Sequence, residues 1–147
     1  ILVFDNSLSE KVVNDFCDHA LSFIATNGSG YSTQDTNKLI HPRCFGTAPK
    51  FLHNVIHSKA ISLPEAIRKL TFGPAKKIGL ADRGVIAIDA KADMVLFDEA
   101  KINSSATEKN PYHYAMGIEQ VWVNGKKAVQ SGTVIEEKSG LFLKKSK

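Results

Sequence analysis

The chain has 147 residues, is 43% hydrophobic and 23% charged, and carries a net charge of +4, the balance of one globular domain of ordinary size. No apolar run approaches the ~20 residues that cross a bilayer, which excludes a helical membrane span. The lysines are scattered except in the terminal Lys-Lys-Ser-Lys, which reads as a basic tail and not as a nucleic-acid surface.

Residues 1–4 (Ile-Leu-Val-Phe) read as a short buried strand. Ser7 and Glu10 then stand three apart, a capping-box spacing that opens a helix, and Val12, Val13, Phe16 and Ala20 give it an apolar face. Residues 21–26 read as a second strand. Strand, helix and strand make a βαβ unit, so the two strands are expected to be parallel. The second strand breaks into Asn27-Gly28-Ser29-Gly30, and a strand ending in a polar, glycine-rich loop is where parallel α/β folds hold their chemistry. Residues 27–46 form a loop too long for a mere connector.

Phe51, Leu52, Val55 and Ile56 predict a helix over residues 47–58. Ser62 as cap, Pro64 in the first turn and Glu65 closing the box predict the next one. A third, short helix is opened by Pro74 and stopped at Gly79. After Gly84 the pattern changes: residues 84–98 and 118–132 are strand-rich. Asn124-Gly125 between two apolar runs predicts a type I′ hairpin joining 118–123 to 126–130. A boundary falls near residues 79–84, and no internal repeat is present.

Cys17 and Cys44 show no metal spacing and read as reduced thiols of a cytoplasmic protein. The chain opens at Ile1 and not Met, which reads as a fragment or a processed product, so a signal peptide cannot be assessed.

Taken in order, several segments resemble the C-terminal end of the N-acyl-D-amino-acid deacylases (D-aminoacylases) of the amidohydrolase superfamily. Leu21-Ser-Phe-Ile-Ala-Thr-Asn-Gly-Ser-Gly30 resembles the last barrel strand and its loop, where the family usually has Gly-Ser-Asp-Gly. His41-Pro-Arg-Cys-Phe-Gly-Thr47 resembles the family's His-Pro-Arg…Tyr/Phe-Gly-Thr segment, the most specific match. Lys91-Ala-Asp-Met-Val-Leu-Phe-Asp98 and Val121-Trp-Val-Asn-Gly-Lys-Lys-Ala-Val129 resemble elements of its small sandwich domain.

The resemblance implies an α/β plus β fold: the last part of a TIM (β/α)8 barrel and its helices over residues 1–82, then part of a small composite β-sandwich over 83–147. It implies a zinc-dependent parent that hydrolyses the amide of small-molecule N-acyl-D-amino acids. The metal ligands would come from earlier strands, so this segment is expected to bind no zinc alone and to need the missing N-terminal part of the barrel. No nucleic-acid or membrane partner is expected.

By the same resemblance Arg43 binds the substrate carboxylate and Asn27 stands where the family has its catalytic aspartate. His41 is grouped with Arg43 at the substrate-binding segment and, preceding a proline, reads as an orienting or packing residue. An amide cannot take a proton from water near neutral pH. Asn27 therefore reads as the mark of a naturally inactive relative, of an engineered Asp→Asn form, or of a base that lies elsewhere. The flanking Ala25-Thr26 also departs from the family's Gly-Ser, which favours natural drift.

Other polar residues read as structural. His53 and His57 put two imidazoles on one helix face, but the zinc-protease pattern needs Glu at position 54, where Asn54 stands. The Tyr112-His113-Tyr114 cluster reads as packing, and Asp93 and Asp98 as turn and strand-end residues. A rival reading from another class is a stand-alone, non-catalytic α+β interaction module.

Overall fold

The computed structural model describes residues 7–34, 37–135 and 138–143. The strand expected over residues 1–4 lies outside them.

Helix α1 (Glu10–Asp18) starts from Ser9, whose hydroxyl accepts from the Val12 N–H. The cap is two residues later than the Ser7 expected from spacing. Its apolar side chains Val12, Val13 and Phe16 are exposed, because among the described residues nothing packs over that face. Residue 21 lies in a turn and residues 22–26 join no ladder among the described residues; the βαβ pairing expected with residues 1–4 lies outside them. A strand exists through its neighbours, and among the described residues no strand lies beside this one. The segment is instead held to a helix: the Ile24 N–H donates to the Lys69 carbonyl at 3.3 Å.

Helix α2 (Arg43–Ser58) begins four residues before the predicted start, so the long loop is shorter than expected. The His41 and Pro42 carbonyls accept the first amides of the helix, from Cys44, Phe45 and Gly46, at 2.9–3.0 Å. Pro49 lies inside α2 and deletes one i→i−4 bond. The helix continues past it, with Phe51, Leu52 and Val55 buried on its inner face.

Helix α3 (Leu63–Leu70) is capped as expected, with the Ser62 hydroxyl accepting from the Glu65 N–H. Helix α4 (Phe72–Ile78) ends at Gly79, whose φ of 83° is left-handed, a conformation glycine adopts without cost.

Beyond residue 84 the chain forms one antiparallel sheet of four strands in the order β1 (Met94–Phe97), β2 (Ile118–Val123), β3 (Lys126–Gln130), β4 (Thr133–Val134). The Asn124-Gly125 hairpin forms where predicted, with positive φ at both residues, 51° and 79°, as a type I′ turn requires. A second tight turn at Ser131-Gly132, also with positive φ at both, adds the short β4. Residues 84–93 form no strand, and Ile86 and Ile88 stand 92% and 94% exposed.

The core draws on α2, α3 and the segment after β1. Phe51, Leu52, Val55, Ala66 and Ile102 form its buried centre, with Ile24, Leu70, Phe97 and Ile118 packed around it. Lys69 is fully buried. Its ammonium donates to the Ser22 hydroxyl at 2.9 Å, the Ser22 carbonyl at 3.1 Å and the His19 carbonyl. Its three N–H donors are thereby matched, and α3 is tied to the turn that leads toward Asn27.

Candidate functional site: the amino end of helix α2

The first turn of α2 is assembled from local chemistry. A proline at position 42 presets φ for helix entry. The His41 side chain caps the turn, its Nδ1 accepting from the Arg43 N–H at 3.1 Å. An Nδ1 that accepts is unprotonated, so His41 is held as the neutral Nε2–H tautomer. Burial lowers the affinity of His41 for a proton, the Arg43 charge lowers it further, and Glu108 opposes both.

Two packing contacts fix the turn from outside. Gly46 is buried against the chain after β1, so close that a Cβ there would lie 2.3 Å from the Ser104 hydroxyl oxygen. Phe45 sits between Tyr112 and Tyr114, with ring centroids 6.0 and 5.8 Å away, and the Tyr112 hydroxyl donates to the Lys38 carbonyl. The tyrosine cluster thus packs against the turn, as expected.

Arg43 is exposed, and among the described residues its guanidinium has no carboxylate partner. Together with His41 it lines a cleft of about 540 Å³ between α1 and α2, floored by Cys17, Ile24 and Phe51 and edged by Lys50 and Asn54. An unpaired planar guanidinium at the mouth of a cleft is suited to grip a carboxylate through two parallel hydrogen bonds.

Asn27 is exposed with a left-handed φ of 43°, which asparagine tolerates. The next residue lies against α2: a Cβ on Gly28 would come within 3.0 Å of the Cys44 Cα. The structure therefore brings the Asn27-Gly28 turn to the residue after Arg43. Asn27 does not line the cleft that His41 and Arg43 share. Sequence reasoning missed Lys69, which reads as a surface residue of α3. Its signal was the stripe Ala66, Lys69 and Gly73 at spacings of three and four, all buried.

Among the described residues no three His, Cys, Asp or Glu side chains gather as a metal site. The donor set present does not fit a catalytic zinc, and no step is assigned to one.

The described residues form a small antiparallel sheet and four helices with one core between them, with Arg43 exposed at the amino end of α2. The chain belongs to the amidohydrolase family, which it matches over residues 32–129. It is 32% identical to the N-acyl-D-aspartate deacylase of Alcaligenes xylosoxydans xylosoxydans over 137 residues, which are 92% of this chain and 26% of that protein. It superposes on a D-aminoacylase with a binuclear metal centre at a TM-score of 0.82 and 30% identity, over 90% of this chain and 27% of the other. It also superposes on the N-acyl-D-glutamate deacylase of Bordetella bronchiseptica, solved with zinc and a phosphonate mimic of the tetrahedral intermediate. There the TM-score is 0.74 and the identity 29%, over 82% of this chain and 25% of the other. The resemblance to D-aminoacylases read from the motifs is borne out, and the chain spans about a quarter of the length of these relatives.

Proposed function

We propose that this chain is the C-terminal segment of a zinc-dependent amidohydrolase that cleaves the amide of N-acyl-D-amino acids, and that it is inactive by itself. Residues 1–82 are the end of the barrel with its helices, and residues 83–147 are one share of a composite sandwich. Arg43 holds the substrate carboxylate, and His41 fixes the turn that presents it. The zinc ligands belong to the rest of the parent.

The observation that carries this reading is the unpaired Arg43 guanidinium at the capped first turn of α2, within a stretch that matches the family. The test is the complete reading frame. Histidine and cysteine ligands encoded upstream are expected, and a frame without them removes the assignment. In the complete protein, Arg43→Ala should weaken binding of an N-acetyl-D-amino acid far more than binding of its amide, which lacks the carboxylate. An equal effect on both ligands would contradict the role of Arg43.

A second reading, an inactive relative that binds without turnover, is favoured by Asn27 itself. A general base contributes about 10²–10⁴-fold. Asn27→Asp in the complete protein should therefore raise turnover by at least about 10²-fold if only the base is missing. No gain would place the loss elsewhere.

A further inference from the structure

The far end of α2 carries a pair of groups that the reading above leaves unused. His53 and His57 stand one turn apart, with ring centroids 4.1 Å from each other and planes inclined by 35°. Their Nδ1 atoms are both engaged with backbone carbonyls, His53 with Ile102 at 3.1 Å and His57 with His53 at 2.8 Å. A carbonyl oxygen can only accept, so both Nδ1 atoms carry the proton and both rings are fixed in the same tautomer. Each Nε2 is therefore left with its lone pair. This is the arrangement metal-binding histidines adopt: the non-ligating nitrogen donates to a carbonyl or carboxylate, which sets ring orientation and raises the basicity of the ligating nitrogen.

We infer that His53 and His57 form a two-imidazole site for one borderline divalent cation of the copper, nickel or zinc class, with water in its remaining positions. Imidazole suits those ions, and the affinity order along the first transition row puts copper(II) first. Two nitrogens each ~2.0–2.1 Å from one cation lie about 3 Å apart, and the two rings already stand one helical turn apart with centroids separated by 4.1 Å. His57 is exposed and His53 half-buried, so the pair is open to solvent from one side. It lies about 15–21 Å along the helix from Arg43, at 1.5 Å per residue. The inference does not depend on the proposed hydrolase activity. It departs from the expectation that the segment binds no metal alone, because here the ligands come from a single helix.

The test is titration of the zinc-loaded complete protein with Ni²⁺ by calorimetry, with helix content followed by circular dichroism. One Ni²⁺ per chain beyond the resident zinc is expected. His57→Ala should weaken binding by about 10²-fold, the usual worth of converting a second contact into an intramolecular one. His57 is exposed and bonds only within its own helix, so this variant should keep the helix content of the wild type. His53→Ala should have the same effect on binding. The Cu²⁺ complex of the wild type should show two equivalent nitrogen couplings by electron paramagnetic resonance, and that of His57→Ala one. Absence of Ni²⁺ binding, or binding that survives His57→Ala undiminished, overturns the proposal.

Discussion

Single residues in this molecule act mainly by closing distances. At Gly46 the helix backbone meets Ser104 with no room for a methyl group. Gly46→Ala should destabilise the chain by about 1–3 kcal/mol, the usual cost of overpacking, and Ser104→Gly in the same chain should recover part of it in urea unfolding. Lys69 works by satisfying others. Lys69→Met would take from the part-buried Ser22 carbonyl the ammonium that donates to it, while the His19 carbonyl keeps the Ser22 N–H and hydroxyl; the loss should cost about 1–3 kcal/mol and lower the urea midpoint. His41 sets a pH dependence. Its folded form resists protonation, so at pH values between its lowered folded pKa and the ordinary ~6.5 the unfolded chain holds more protons. This contribution to stability is complete above ~6.5 and is lost as the pH falls through that window. His41→Gln should flatten that part of a stability–pH curve, and an unchanged slope would show that the imidazole is not the titrating group. The roles proposed for Arg43 and Asn27 rest on motif resemblance, because an exposed arginine and an Asn-Gly pair have ordinary structural meanings. The seating of Gly28 on Cys44 had no sequence signal, since close approach depends on how distant segments pack.

At the scale of elements, what was legible was what is local. The Ser62 cap with Glu65, the Gly79 stop and the Asn124-Gly125 turn all appear where short-range chemistry places them. A Cβ on Gly125 would meet the Ala92 Cβ at an ordinary 4.0 Å, and its φ is +79°, so Gly125→Ala tests conformation without a clash. It should cost about 1–2 kcal/mol, the penalty of a left-handed residue with a side chain, read as a drop in the thermal midpoint. What was not legible depends on partners. Residues 21–26 have strand composition but no strand beside them among the described residues, and the segment is held through Lys69. Residues 84–93 fail in the same way, since apolar β-branched residues form a strand only where a neighbouring edge is offered. The early start of α2 was missed because the polar, proline-containing stretch at 41–46 looks like loop until His41 is seen capping it.

At the scale of the whole molecule, large apolar side chains of the described residues stand in solvent. Leu21, Ile86, Ile88 and Phe142 are 86%, 92%, 94% and 88% exposed, and the chain spans about a quarter of its relatives. Such apolar area attracts other surfaces. The isolated chain should bind a hydrophobic dye and associate with rising concentration, and the double change Ile86→Lys, Ile88→Lys should reduce both.

The central claim is that this chain supplies a substrate-binding rim and depends on the remainder of the parent for catalysis. A (β/α)8 barrel takes at least ~200 residues and closes only when all its strands pair, and no catalytic metal set gathers among the described residues. The most direct measurement is hydrolysis of an N-acetyl-D-amino acid, with added zinc, by the purified 147-residue chain and its Asn27→Asp variant. No turnover by either is the predicted result. Turnover by the Asn27→Asp chain alone would contradict the account, because the catalytic metal ligands would then have to lie within these 147 residues.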